Sequence, residues 1–104
     1  MELMVVLCTF PDMDKARQIA TQLVERRLAA CVNLLPGVHS IYRCQGKIDT
    51  GDEVAALIKT TPELYGTLED NLKQLHPYDV PEIIALPVER AHVLYAQFVK
   101  DAVA

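Results

Sequence analysis

Leu3-Met4-Val5-Val6-Leu7-Cys8 is an unbroken apolar run, the pattern of a central strand covered on both faces. Thr9-Phe10-Pro11-Asp12 closes it: Pro11 stops the ladder and Asp12 is placed to cap the next element. Ala16, Ile19, Ala20, Leu23 and Val24 then recur at helical spacing, with Lys15, Arg17, Gln18, Gln22, Glu25 and Arg26 on the other side. This predicts an amphipathic helix of about four turns, whose last turn carries the favourable positive charge of Arg26-Arg27.

Ala29 to Leu35 returns to a strand-like run, broken at Pro36-Gly37 and resumed from Val38 to Arg43 after a bulge or bend. Gln45-Gly46 is a turn signal, Lys47-Ile48 is extended again, Gly51-Asp52 interrupts, and Glu53 to Lys59 reads as another buried strand. Cys31 to Lys59 is thus a long hairpin with Tyr42, Arg43 and Cys44 at its tip. A hairpin of that length projects beyond so small a core, and its tip requires a packing partner.

Thr61-Pro62-Glu63 is a compact helix start, with Thr as cap, Pro at the first position and Glu at the positive end. Leu64, Leu68, Leu72 and Leu75 form the apolar stripe of this second helix, which ends at His76 because a residue before Pro leaves the helical region. His76-Pro77-Tyr78-Asp79-Val80-Pro81 is a stiff connection. Glu82 to Leu86 is a fourth strand closed by Pro87, and from Ala91 onward Tyr95, Val99 and Val103 suggest a last helix docked by one face. The order β-α-β, β-α-β, helix predicts a single α+β domain over residues 1–104, a ferredoxin-like βαββαβ sandwich with its helices on one sheet face. The other face, with apolar residues drawn from Val54 to Ile58 and Ile83 to Leu86, needs a cover, and self-association is the economical one.

Composition strengthens that expectation. Hydrophobic residues make up 51% of 104 positions, more than so small a core requires, which leaves apolar surface for another subunit. The net charge of −4 comes with no dense Lys/Arg block, so nucleic acid and anionic membrane are poor partners. No basic segment followed by an apolar leader opens the chain, and Leu3 to Cys8 is too short to span a bilayer. Three widely spaced cysteines without a C-x-x-C pair fit reduced thiols in a cytoplasmic protein.

Candidate chemistry is sparse. Cys8 and His76 each stand where an element meets a connection; a thiolate with an imidazole would select copper or zinc over magnesium. The ordinary structural account, a small core thiol and a helix-end imidazole, stands beside that one. His39 and His92 read as surface or helix-end residues, Cys31 as buried and inert, and Cys44 as accessible and oxidisable. Ser40 is the only serine and lacks a nucleophile-elbow motif; Asp49, Asp52 and Glu53 read as solvated charge; Gly37, Gly46, Gly51 and Gly66 form no phosphate cradle. The inventory points away from an enzyme. Tyr78 to Glu82, with Lys59, marks the best candidate for a small-ligand cleft, against a plain proline-stiffened turn.

Val5-Val6-Leu7-Cys8-Thr9, Leu28-Ala29-Ala30-Cys31-Val32-Asn33, Ser40-Ile41-Tyr42-Arg43 with Gly46-Lys47-Ile48, Ile58-Lys59-Thr60, and His76-Pro77-Tyr78-Asp79-Val80-Pro81-Glu82-Ile83 occur in that order. Together they resemble the CutA family of divalent-cation tolerance proteins across almost the whole chain. The resemblance implies a tight homotrimer, similar in design to PII signalling proteins, with hairpins reaching across neighbours. It also implies copper or another divalent ion as partner, bound at Cys8 and His76. Family members often carry a second histidine where this chain has Leu75, and tryptophans where it has Cys44 and Phe98. The leading expectation is therefore a trimeric metal-tolerance protein. Its alternative is a PII-like sensor or scaffold holding a small anionic ligand or a partner protein in inter-subunit clefts around Lys59, Tyr78 and Glu82.

Overall fold

Side-chain alternation along the first strand divides the molecule into its layers. The computed structural model describes residues 2–104, and in it β1 (Leu3–Phe10) lies between β3 (Lys47–Thr60) and β4 (Ile83–Val88). With β2 (Cys31–Cys44) the sheet order is β2-β3-β1-β4, and every pairing is antiparallel. The strands are joined by α1 (Met13–Glu25) and by a 3-10 turn (Pro62–Leu64) leading into α2 (Tyr65–Leu75); α3 (Val93–Ala102) follows the last strand. This is the expected ferredoxin-like order.

Val6, Cys8 and Phe10 point to one face, where they are buried with Ala16, Ile19 and Leu23 of α1 and Leu68 and Leu72 of α2. The register sets Cys8 opposite both Ala56 and Ile83, so β3 and β4 contribute Val54, Ala56, Ile58, Ile83 and Ala85 to the same core. Val5 and Leu7 point the other way, in rows with Lys59, Leu57, Leu86 and Ile84. This second face is covered only at one end, where Leu3 packs with Ala96 and Val99 of α3. Helices therefore lie on both faces, and the last one docks through Ala96 and Val99 while Tyr95 stays 41% exposed. Of the expected stripe Tyr95, Val99 and Val103, Val99 is fully buried, and Ala96 takes the place of Tyr95 beside it.

The ends of the elements follow local chemistry. Asp12 caps α1 by accepting from the Lys15 N–H at 2.7 Å. The C-terminus differs from expectation: Arg26 and Arg27 lie just past the helix. Arg27 takes a left-handed φ of 57°, its N–H bonds the Val24 carbonyl at 3.0 Å, and the Leu28 N–H reaches the Leu23 carbonyl at 3.0 Å. These are the two bonds of a Schellman ending, sealed by the buried Leu23 and Leu28 side chains.

The hairpin turns at Gln45 (φ 50°) and Gly46 (φ 77°), two left-handed residues whose twist matches that of the flanking strands. The register slips between Leu35 and Val38, the bulge expected at Pro36-Gly37. No interruption occurs at Gly51-Asp52: Gly51 pairs with Ser40 and Asp52 with His39, so β3 runs unbroken through both. Two 14-residue strands at a rise of about 3.3 Å per residue account for the 44 Å long axis of the molecule. Pro87 falls inside β4 and does not close it, because β4 is an edge strand paired only with β1 and the missing N–H can face outward.

Candidate functional site

Cys8 and His76 come together. Cys8 faces the core at 1% exposure, and its thiol is directed at the Thr9 carbonyl at 3.8 Å. Burial pushes this thiol up to about 12, and the carboxylates of Glu82 and Glu53 add to the effect. His76 caps α2 with an extended ψ of 138°, as its position before Pro77 requires. That backbone turn carries the ring over β1, where Nε2 donates to the same Thr9 carbonyl at 2.7 Å. Nδ1 accepts from the Tyr78 N–H at 3.1 Å. The ring stacks on Phe10 with centroids 4.9 Å apart and leans on Tyr78 at 4.8 Å. With one nitrogen donating and the other accepting, His76 is the neutral Nε2–H tautomer, and desolvation lowers its pKa below the ordinary histidine value.

Beside this junction lies a hollow of about 580 Å³, lined among others by Thr9, Ser40, Tyr42, Glu53, Tyr78 and Glu82. The Tyr78 hydroxyl donates to Glu53 Oε2 at 3.0 Å; burial and that carboxylate push the phenol up to about 12. Asp52, Glu53 and Glu82 are the ionisable carboxylates of the lining, and it contains no Lys, Arg or His. Tyr42, from the projecting hairpin, has its phenol raised chiefly by Asp49.

Tyr78 and Glu82 therefore share a cleft, and Lys59 does not belong to it. Lys59 pairs with Val5 and Cys31, whereas Ala55 pairs with Thr9 at the hollow. Four residues of strand, about 13 Å, separate the two levels. The Lys59 ammonium instead meets the Asn33 amide oxygen and the Cys31 sulfur. Cys31 is likewise displaced from its expected role: it is half-buried on the second sheet face beside that ammonium, not sealed in the core. Cys44 is exposed. His39 pairs with Asp52 at 2.7 Å on the surface, and His92 caps α3 by accepting from the Leu94 N–H at 3.1 Å.

Glu53, Ser40 and Tyr42 escaped the sequence reading as site residues. The signal for them is cross-strand pairing: once β3 is continuous through Gly51, Val38 faces Glu53, Ser40 faces Gly51 and Tyr42 faces Asp49 on one side of the hairpin. Among the described residues no three of His, Cys, Asp and Glu converge into a metal-holding group.

These features define a class: a ferredoxin-like sandwich with an elongated second hairpin and an acidic hollow at the end of its central strand. The chain belongs to the CutA1 divalent ion tolerance protein family, whose pattern matches residues 4–102. It is 47% identical over 97 residues to the divalent-cation tolerance protein CutA of Thermus thermophilus, covering 93% of this chain and 94% of that one. It is 48% identical over 93 residues to human protein CutA, covering 89% of this chain but 52% of the longer human protein. Among solved structures, the Thermus thermophilus divalent cation tolerance protein superposes with a TM-score of 0.95 at 45% identity, covering 98% of this chain and 99% of that one. CutA from Xylella fastidiosa gives 0.97 at 38% identity, with both chains fully covered.

Proposed function

We propose that this protein serves divalent-cation tolerance as a cytoplasmic homotrimer that binds copper or another divalent ion and carries out no catalytic step. Its relatives bear the name of that role. The observation that carries the reading is the hollow, whose ionisable lining is wholly acidic and which adjoins the Cys8–His76 junction. Negative lining attracts cations and repels a small anion, so it weighs against the PII-like alternative; Lys59, the cation that reading relied on, sits at another level of the sheet.

Cys8 and His76 are the proposed ligands, with Glu53 and Glu82 supplying the negative field that draws the ion in. Both ligand groups hold a proton on the Thr9 carbonyl. Binding therefore displaces the thiol proton and moves the imidazole proton from Nε2 to Nδ1, which releases the Tyr78 N–H. Ion uptake is in this way coupled to the Tyr78 to Pro81 connection. The trimer is supported by apolar surface: Leu35, Ile84 and Leu86 on the second sheet face and Ile41 and Ile48 near the hairpin tip are all exposed.

A thermal-shift screen of the reduced protein against Cu(I), Cu(II) and Zn(II), beside nucleotides and organic acids, tests the choice, since selective binding raises apparent stability. Stabilisation by metal ions is expected. Stabilisation by the anions alone would overturn the proposal.

A further inference from the structure

Cys31 and Lys59 stand directly opposite each other in the β2–β3 ladder. Opposed residues of an antiparallel pair project to the same face with their Cβ atoms about 5 Å apart. Their side chains meet, the Lys59 ammonium lying 3.9 Å from the Cys31 sulfur. Asn33, two residues along β2 on the same face, accepts a hydrogen bond from the same ammonium. Tyr95 of α3 completes the cluster; burial, and then the neighbouring Cys31, push its phenol up. A thiol, an amine and a phenol are thus held at the end of the hairpin opposite its turn, outside the Cys8–His76 site.

The other two cysteines lack this setting. Cys8 is buried in the core. Cys44 is exposed, and its ladder partner Lys47 makes no hydrogen bond to its sulfur.

We propose that Cys31 and Lys59 form a reversible oxidative staple, a sulfur–nitrogen bond made in response to hydrogen peroxide. In the first step the sulfur attacks one peroxide oxygen, the O–O bond breaks, and Cys31 becomes a sulfenic acid as water leaves. In the second, Lys59 Nζ attacks the sulfur and the sulfenic hydroxyl departs as water, taking one ammonium proton; another proton goes to solvent. Sulfur is oxidised by two electrons and peroxide is reduced to water. Two equivalents of a small thiol reverse the reaction, returning thiol and amine and leaving a disulfide between the small thiols. The staple ties the first residue of β2 to the penultimate residue of β3, closing the open end of the hairpin covalently.

The test is peroxide treatment of the full-length reduced protein followed by intact and tryptic mass spectrometry. Expected is a species lighter by two hydrogen atoms. Its digest contains Leu28 to Arg43 joined to Ile48 to Lys73, because trypsin cannot cut at a bonded Lys59. The joined peptide should vanish on dithiothreitol treatment, be absent from Cys31→Ser and Lys59→Arg, and persist in Cys44→Ser. The wild-type digest decides the matter even where a variant folds poorly. Recovery of Cys31 only as thiol, sulfinic acid or mixed disulfide, with Lys59 still cleaved, would overturn the proposal; so would a joined peptide that survives in Lys59→Arg.

Discussion

Cys8 and His76 converge on one oxygen, the Thr9 carbonyl, from 3.8 and 2.7 Å. Thr9 is the penultimate residue of β1, so through His76 the end of the central strand holds the start of the Tyr78 to Pro81 connection in place. The histidine is bound on both nitrogens and stacked on Phe10. In the absence of a metal ion it acts as a neutral clasp between the sheet and α2.

A neutral clasp makes stability depend on pH. An unfolded histidine titrates near 6.5, while desolvation lowers the folded value. Between the two, the unfolded chain binds a proton that the folded one refuses, so stability rises with pH through that window and is level above about 6.5. Urea unfolding at fixed protein concentration should show a steeper slope in the wild type than in His76→Gln. His76→Ala, which loses two hydrogen bonds and the stack on Phe10, should cost about 2–4 kcal/mol.

Tyr78 should be among the last phenols to ionise. Burial, and then the hydrogen bond and charge of Glu53, push its hydroxyl up to about 12, so Glu53→Gln should bring its titration part of the way down. Phenolate absorbance, with Tyr78→Phe to assign the transition, measures this. Tyr78→Phe should itself destabilise by about 1 kcal/mol, the scale of one hydrogen bond on a partly hydrated rim.

Arg27→Gly should stabilise. The left-handed φ of 57° strains a residue with a Cβ by roughly 1 kcal/mol, and glycine removes that strain. The weak bond from the Arg27 guanidinium to the Ala104 carbonyl, 3.4 Å long and solvent-exposed, offsets little of the gain. Denaturant midpoints of the two proteins give the comparison.

The second sheet face should lose its partners when made polar. Ile84 and Leu86 are 49% and 48% exposed in the single chain. Light scattering at micromolar concentration should give a trimer for the wild type and smaller species for Ile84→Asp/Leu86→Asp. A monomeric wild type would contradict the proposed assembly.

Much of this architecture was legible because periodicity reports burial directly. The Ile19–Leu23 stripe and the Leu68–Leu72 stripe lie in the core as their spacing requires, whereas of the apolar run of β1 only Val6 and Cys8 are buried in that core, Val5 and Leu7 being half-buried on the second face. What failed depended on pairing. Gly51-Asp52 looked like a break because glycine and aspartate disfavour strands, yet both are paired to β2 and the ladder overrides their local preference. Lys59 looked close to Tyr78 because the connecting helix hides distance; only the register against β1 shows it one level away. Arg27 required knowledge of a backbone angle. The meeting of Cys8 with His76 was suggested by their positions at element ends, but the shared carbonyl was not readable from either motif.

Calorimetric titration of the reduced protein with copper, wild type beside Cys8→Ala and His76→Ala, tests the central claim most directly. Because the Cys8 thiol is held up to about 12, it stays protonated at neutral pH and the metal must displace its proton. Affinity should therefore rise about tenfold per pH unit between roughly pH 7 and 9 on account of Cys8 alone. The account predicts a site in the wild type with that dependence, weakened at least tenfold in each variant. Equal affinity in all three proteins would contradict it.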